Sequence, residues 1–157
     1  MIIIGYQGIG KSTTAKKSDK FIDLESSCFW YDGKRPDKWH IYYCQIAEDL
    51  SRQGYTVFVS SHEVVRNFLK KSNEKVVIVC PSPMLKEPWC KKLQDRYEND
   101  KSDKNYKAWK NAEDRFDENI KELLFSGFSK ILICNMDYDL EMLITDFKGK
   151  FNADKGD

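Results

Sequence analysis

Residues 5–13 read GYQGIGKST, and the spacing of Gly5, Gly10, Lys11 and Ser12 satisfies the phosphate-binding pattern G-x-x-x-x-G-K-[ST]. Glycine opens backbone angles closed to other residues and carries no side chain. The amides through Gly8, Ile9 and Gly10 can therefore turn inward around phosphate oxygens. Lys11 would reach the β- and γ-phosphates of a nucleotide such as ATP, and the Ser12 hydroxyl would ligate the Mg2+ that bridges them, with Thr13 leading into a helix. The pattern needs a strand before it and a helix after it, and MIII and TTAKK supply both.

Carboxylates come next, in FIDLESSCFW. Asp23 and Glu25 are two residues apart and share one side of an extended chain. Asp23 is the candidate to hold Mg2+ and organise the reaction. Glu25 is a candidate to orient the acceptor or to accept its proton, or else it only pairs with a surface lysine. The segment VFVSSHEVVR has no acid where many phosphate-loop ATPases place one for magnesium, which shifts that role to Ser12 and Asp23. Ser61 is polar at the cleft mouth, and Arg66, a helical turn further on, is placed to reach an acceptor phosphate. His62 reads as a helix-start residue facing solvent. In SSCFWYDGKRPDKW, the residues Trp30, Tyr31, Lys34 and Arg35 combine surfaces for stacking a base with cations for a monophosphate.

A further cation supply lies in PSPMLKEPWCKKLQDRYENDKSDKNY, which has prolines at its entry and no clean apolar face. It reads as a mobile lid over about residues 84–104. Phosphoryl transfer depends on charge neutralisation and water exclusion, so cations that arrive on closure are useful. The available ones are Lys86, Lys91, Lys92 and Arg96, with Arg115 just inside the following helix; Arg96 is the candidate for the transferring group and Arg115 for the donor.

The elements that must position these groups alternate. The runs MIII, KFIDLE, YTVFVS, KVVIVC and KILICN read as five strands, each followed by a polar or helix-periodic segment, as in a parallel sheet wrapped by helices. Trp39, Tyr43, Ile46, Ala47 and Leu50 mark a helix ended by Gly54. Ser60 and Glu63 form a capping box for a helix with Val64, Val65, Phe68 and Leu69 on its apolar side. Trp109, Ala112, Phe116, Ile120, Leu123 and Leu124 line a longer helix that stops at Gly127. Leu140, Leu143, Ile144 and Phe147 mark a last short helix, and KGKFNADKGD has no periodicity and is expected to fray. The organisation is one domain over residues 1–147 with a flexible tail over 148–157.

A chain of 157 residues with 41% hydrophobic residues is long enough for one core. A net charge of +1 excludes the global field of a dedicated nucleic-acid or membrane-surface binder, so the expected partners are a nucleotide and a small acceptor, with the chain a monomer or weak homodimer. A first strand starting at Met1 leaves no room for a targeting leader, and a cytoplasmic protein is expected. Five cysteines without a C-x-x-C pair argue against a disulfide framework, and Cys28, His40 and Cys44 match no zinc-ligand spacing.

With GYQGIGKS on the first strand, an acid pair after the second, five strands and a basic segment before the last helix and strand, the layout resembles the nucleoside monophosphate kinase group, including adenylate-kinase-like and shikimate-kinase-like enzymes. The stretch WCKKLQDRY is reminiscent of lids in small kinases of bacteria and their phages. The resemblance implies a phosphate-loop NTPase fold: three α/β/α layers, a parallel sheet of order 2-3-1-4-5, ATP as donor and Mg2+ as cofactor. Asp23 and Glu25 look like the D-x-D of shikimate kinases with the second acid substituted. The glycine-rich turn those enzymes carry after the third strand is replaced by SSH, and the D-G-[FY]-P-R signature of adenylate kinases is absent, with Arg66 a displaced counterpart of its arginine. Three functions follow in order: a kinase for a nucleoside or deoxynucleoside monophosphate, a kinase for a hydroxylated metabolite, and a nucleotide-binding regulatory module without an acceptor.

Overall fold

The computed structural model describes residues 1–156. The fold is α/β, a five-stranded parallel sheet in the order β2-β3-β1-β4-β5 with helices on its faces, consistent with a three-layer phosphate-loop or Rossmann-like architecture. The strands are β1 (Ile2–Gly5), β2 (Phe21–Asp23), β3 (Thr56–Val59), β4 (Val76–Pro81) and β5 (Ser129–Ile133). β1 lies at the centre, Ile3 opposite Phe58 of β3 and Val77 of β4. Because both faces of the central strands are covered, they read as unbroken β-branched runs, and Ile2, Ile3 and Ile4 have no exposed surface.

The helices are α1 (Lys11–Lys17), α2 (Trp39–Arg52), α3 (Glu63–Leu69), α4 (Lys86–Asn99), α5 (Asp103–Leu124) and α6 (Leu140–Lys155). α2 packs with α3 and against β1 and β3, α5 lies on α4 and β4, and α1 touches α6. Tyr43 fixes the ends of two strands: its hydroxyl donates to the Leu24 carbonyl (2.6 Å) and accepts the Ser60 amide (2.9 Å). The mouths of β2 and β3 are thereby held side by side.

Four expectations are corrected. The capping box at Ser60 and Glu63 does not form: α3 starts at Glu63 with no side-chain cap, and the Ser60 hydroxyl meets His62 Nδ1 at 2.8 Å instead. The segment 84–104 does carry an apolar face, because α4 buries Trp89 and Leu93, which are four residues apart and so on one side of the helix. Arg115 is in the middle of α5, since that helix begins twelve residues earlier, where Ser102 caps it by accepting the Asn105 amide. Finally, α6 is long. Helical geometry continues through Lys155, with Lys75 and Lys155 over the Phe151 ring at 4.0 and 4.6 Å, so residues 148–155 belong to a helix; Asp157 lies outside the described residues.

Trp89 is the largest fully buried side chain, stacked on Tyr138 and tilted against Tyr6. Replacing Trp89 by Ala is expected to cost about 3–5 kcal/mol in urea unfolding, the range for truncating a buried large aromatic; a loss below about 1 kcal/mol would place α4 outside the core.

Candidate functional site

The carboxyl ends of the strands open into a cleft of about 1240 Å³, the position where open parallel sheets take ligands. Its floor is the loop between β1 and α1. Gly8 and Gly10 adopt φ of 86° and 105°, left-handed angles that favour glycine. A Cβ on Gly8 would also lie 2.9 Å from Leu93 and 3.3 Å from the Trp89 ring nitrogen, so α4 rests directly on the loop. Two further bonds hold the loop's outer carbonyls. Trp89 Nε1 donates to Gln7 O (2.9 Å) and the Tyr138 hydroxyl to Ile9 O (2.7 Å). Among the described residues, the amides of Gly8, Gly10, Lys11, Ser12 and Thr13 donate to no protein acceptor. Five N–H groups at one bend, with carbonyls turned outward and bonded, make an anion cradle.

Lys11 folds back over this bend, its ammonium 3.3 Å from Gly5 O. Desolvation lowers its pKa, opposed by the charges of Asp23 and Glu25. Burial likewise raises the pKa of Asp23, with Lys11 pulling the other way and Glu25 adding to the rise. Both groups are thus kept in a site that disfavours their charged forms, and an anion at the loop together with a cation at Asp23 would relieve each. These residues fit a nucleotide phosphate and Mg2+: Ser12 Oγ and Asp23 are the protein groups able to hold the ion, and among the described residues no cluster of three or more His, Cys, Asp or Glu offers an all-protein site.

Glu25 behaves differently. Burial alone would raise its pKa, but a hydrogen-bonded ion pair with Lys104 (2.9 and 3.0 Å), helped by Lys11, brings it below the usual value. The pairing lysine comes from the first turn of α5, not from a random surface position. Beside it, Arg35 is fixed by Ser26, donating to its carbonyl (3.2 Å) and hydroxyl (3.0 Å), and its guanidinium lies 5.4 Å from the Trp30 ring and 4.7 Å from Trp39. No carboxylate pairs with Arg35 among the described residues. Trp30 is 44% exposed and has Lys107 at 4.9 Å.

Gly5, Gly8, Ile9, Gly10, Lys11, Ser12, Thr13, Asp23, Glu25, Arg35, Ser61, Arg66, Arg96 and Arg115 all line the cleft. Lys34 does not: it is exposed in a tight turn, bridged through its backbone to Tyr31, which is also exposed. Arg66 lines the wall with only 11% of its side chain exposed, bonded to Ser61 O (3.1 Å) and paired with Glu122 (3.0 Å). Arg115 is paired with Glu118 at 2.7 Å. Of the other α4 cations, Lys86 and Lys91 pair with Asp117 and Asp95 outside the cleft, whereas Lys92 points in, over Trp89 (4.6 Å) and 3.2 Å from the Tyr138 hydroxyl. The cleft residues outside the sequence-based set include Gln7, Lys104, Lys107, Asn111, Asn119 and Tyr138. Five of the α5 positions in the cleft, 104, 107, 111, 115 and 119, recur at helical spacing along one flank of the apolar stripe, and that second, polar periodicity was the available signal.

The low pKa of Lys11 carries a stability consequence. The unfolded chain holds that proton more tightly, so the ammonium costs stability at neutral pH, and the cost is relieved as pH rises through the folded pKa toward 10.5. Lys11→Met is therefore expected to raise the ligand-free Tm at neutral pH while abolishing any gain from ATP; a lower Tm in that variant would contradict the desolvated placement. No protein-family model matches the chain, and no curated protein matches it.

Proposed function

We propose that this chain is an ATP- and Mg2+-dependent phosphotransferase of the small-kinase type, with a nucleoside or deoxynucleoside monophosphate as acceptor. The observation that carries this reading is the pairing, in one cleft, of a donor side and an acceptor side. The donor side has five amides without protein acceptors beside Lys11. The acceptor side has Arg35, without a carboxylate partner, against Trp30. A guanidinium with free donors recognises a phosphate, and an exposed indole offers a face for a base. The sheet order and the loop agree with the nucleoside monophosphate kinase layout, to which the chain's sequence is similar in that loop.

The residues divide the work as follows. The loop amides and Lys11 hold the β- and γ-phosphates and stabilise the charge that builds during transfer. Ser12 and Asp23 would hold Mg2+, which when bound neutralises phosphate oxygens. Arg35 orients the acceptor phosphate. Arg96 and Lys92 stand on α4 above the loop, where they add positive charge and exclude water from the transferring group. The raised pKa of Asp23 also suits it to accept a proton, which favours a second reading with a hydroxyl acceptor.

ADP formation from ATP and Mg2+, followed against a panel of nucleoside monophosphates and small alcohols, separates the readings. Stimulation by a monophosphate is expected; stimulation by an alcohol alone would select the second reading, and no acceptor dependence would sink both. In the same assay Lys11→Ala is expected to lower turnover by about 10²–10³-fold, as for loss of one preorganised donor to a developing charge. Arg35→Met should raise the acceptor KM by about tenfold or more while leaving the donor KM nearly unchanged.

A further inference from the structure

Gln7 belongs to the phosphate loop, yet its side chain is spent on another element. Its main-chain carbonyl accepts from Trp89 on α4, while its side-chain nitrogen Nε2 donates one hydrogen to Ala108 O (3.0 Å) and the other to Asn111 Oδ1 (3.1 Å), both on α5. The amide can sit only this way round, since the reverse would set Oε1 against the Ala108 carbonyl. Asn111 Oδ1 in turn accepts from Asn119 Nδ2 (2.9 Å), so the contact is part of a hydrogen-bonded polar row lining the cleft.

The same face of α5, four residues nearer its start, carries Lys104 and Lys107. Lys104 holds the Glu25 carboxylate and Lys107 lies over Trp30, and both Glu25 and Trp30 belong to the segment that follows β2. Phe116, Ile120 and Leu123 anchor the second half of α5 in the core. The first half is held by Asn105, by Ala108 and Trp109, which pack partly buried against the core, and by the stack of Trp109 on Tyr97 of α4. The tie from Gln7 falls at that packed segment, between the phosphate loop and the two cations. One helical turn, about 6 Å, separates that tie from the two cations.

We propose that Gln7 is a positioning residue that links the phosphate loop to the acceptor-side cations of α5, so that a donor-filled loop sets Lys104 and Lys107 for a phosphate-bearing acceptor. This rests on the proposed kinase reading and deepens it. Donor phosphates bound to the already aligned amides damp the loop's remaining motion, and Gln7 is held with it. Ala108 and Asn111 then hold the first turns of α5 in register, and the lysines exchange Glu25 and the indole face for the acceptor's dianion. The loop amides that bind the donor are backbone groups, so changing the side chain at position 7 leaves their chemistry intact.

The test measures coupling. The affinity of each of four deoxynucleoside 5′-monophosphates is titrated with and without a saturating non-hydrolysable ATP analogue and Mg2+, in the wild type and in Gln7→Met. The wild type is expected to bind its best monophosphate about 5–20-fold more tightly with the donor site filled, within the usual span of site-to-site coupling. Gln7→Met should reduce that factor to about 2 or less, with analogue affinity changed by less than about threefold and kcat/KM for the acceptor falling more than that for ATP. A second pair covers the case in which Gln7→Met does not fold: Asn111→Asp, which still accepts from Gln7, should keep the coupling, and Asn111→Leu should lose it. Full coupling in Gln7→Met or in Asn111→Leu, or turnover of a monophosphate with no coupling in the wild type, would overturn the assignment while leaving the kinase reading standing. A wild type that neither binds nor is stimulated by any monophosphate would overturn both.

Discussion

The loop between β1 and α1 keeps its shape because other elements hold it from outside. Its two left-handed glycines turn the amides inward, and the space above Gly8 that a Cβ would need is filled by Leu93 and Trp89 of α4. The carbonyls that must point away are taken by Trp89 and Tyr138. A bend of this kind left in solvent would sample many conformations, each at little cost. Here the ordering is achieved during folding, through burial of Trp89 and the central position of β1, so a ligand meets amides already aligned. The same contact makes α4 part of the core at its start, and its far end is held to α5 by the stack of Tyr97 on Trp109.

Charge is organised around that bend in alternation. Lys11 and Asp23 oppose each other deep in the cleft, both penalised by desolvation, while Glu25 and Lys104 oppose each other nearer its mouth in a half-exposed pair. The deep pair is the unstable one. Groups held where their charged forms are disfavoured are a reservoir that a ligand of the matching charge releases, which is how a binding site gives up some fold stability for function. The outer pair, screened by water, contributes little to stability and can be exchanged at little cost.

Much of this was legible in the residues. Five β-branched runs announced five strands, and the spacing from Gly5 to Ser12 placed the loop at the tip of the first. Trp39 to Gly54 and Trp109 to Gly127 marked two helices, whose glycine ends take φ of 97° and 85°. Other features depended on distance along the chain. Trp89 looked like one aromatic in a charged stretch, since its partners Tyr6 and Tyr138 are far away in sequence. Lys34 and Arg35 were equivalent as letters, and a tight turn at Asp32 and Gly33 sends one to solvent and the other to Ser26. Ser60 and Glu63 had the spacing of a cap, but Tyr43 claims the Ser60 amide and His62 its hydroxyl, so the local rule lost to a tertiary contact. In α6, the polar residues 148–155 gave no period, and Lys75 from the β4 side supplies cation contacts to Phe147 and Phe151 that no local pattern contains.

The inward-facing amides form the floor of the cleft, and backbone NMR reads them individually. In a titration of the labelled protein with Mg2+ and ATP, the amide protons of Gly8, Gly10, Lys11, Ser12 and Thr13 should move downfield, saturating together and ahead of those in α6. Unshifted resonances for these five at saturating nucleotide, or changes confined to residues outside the cleft, would contradict the account.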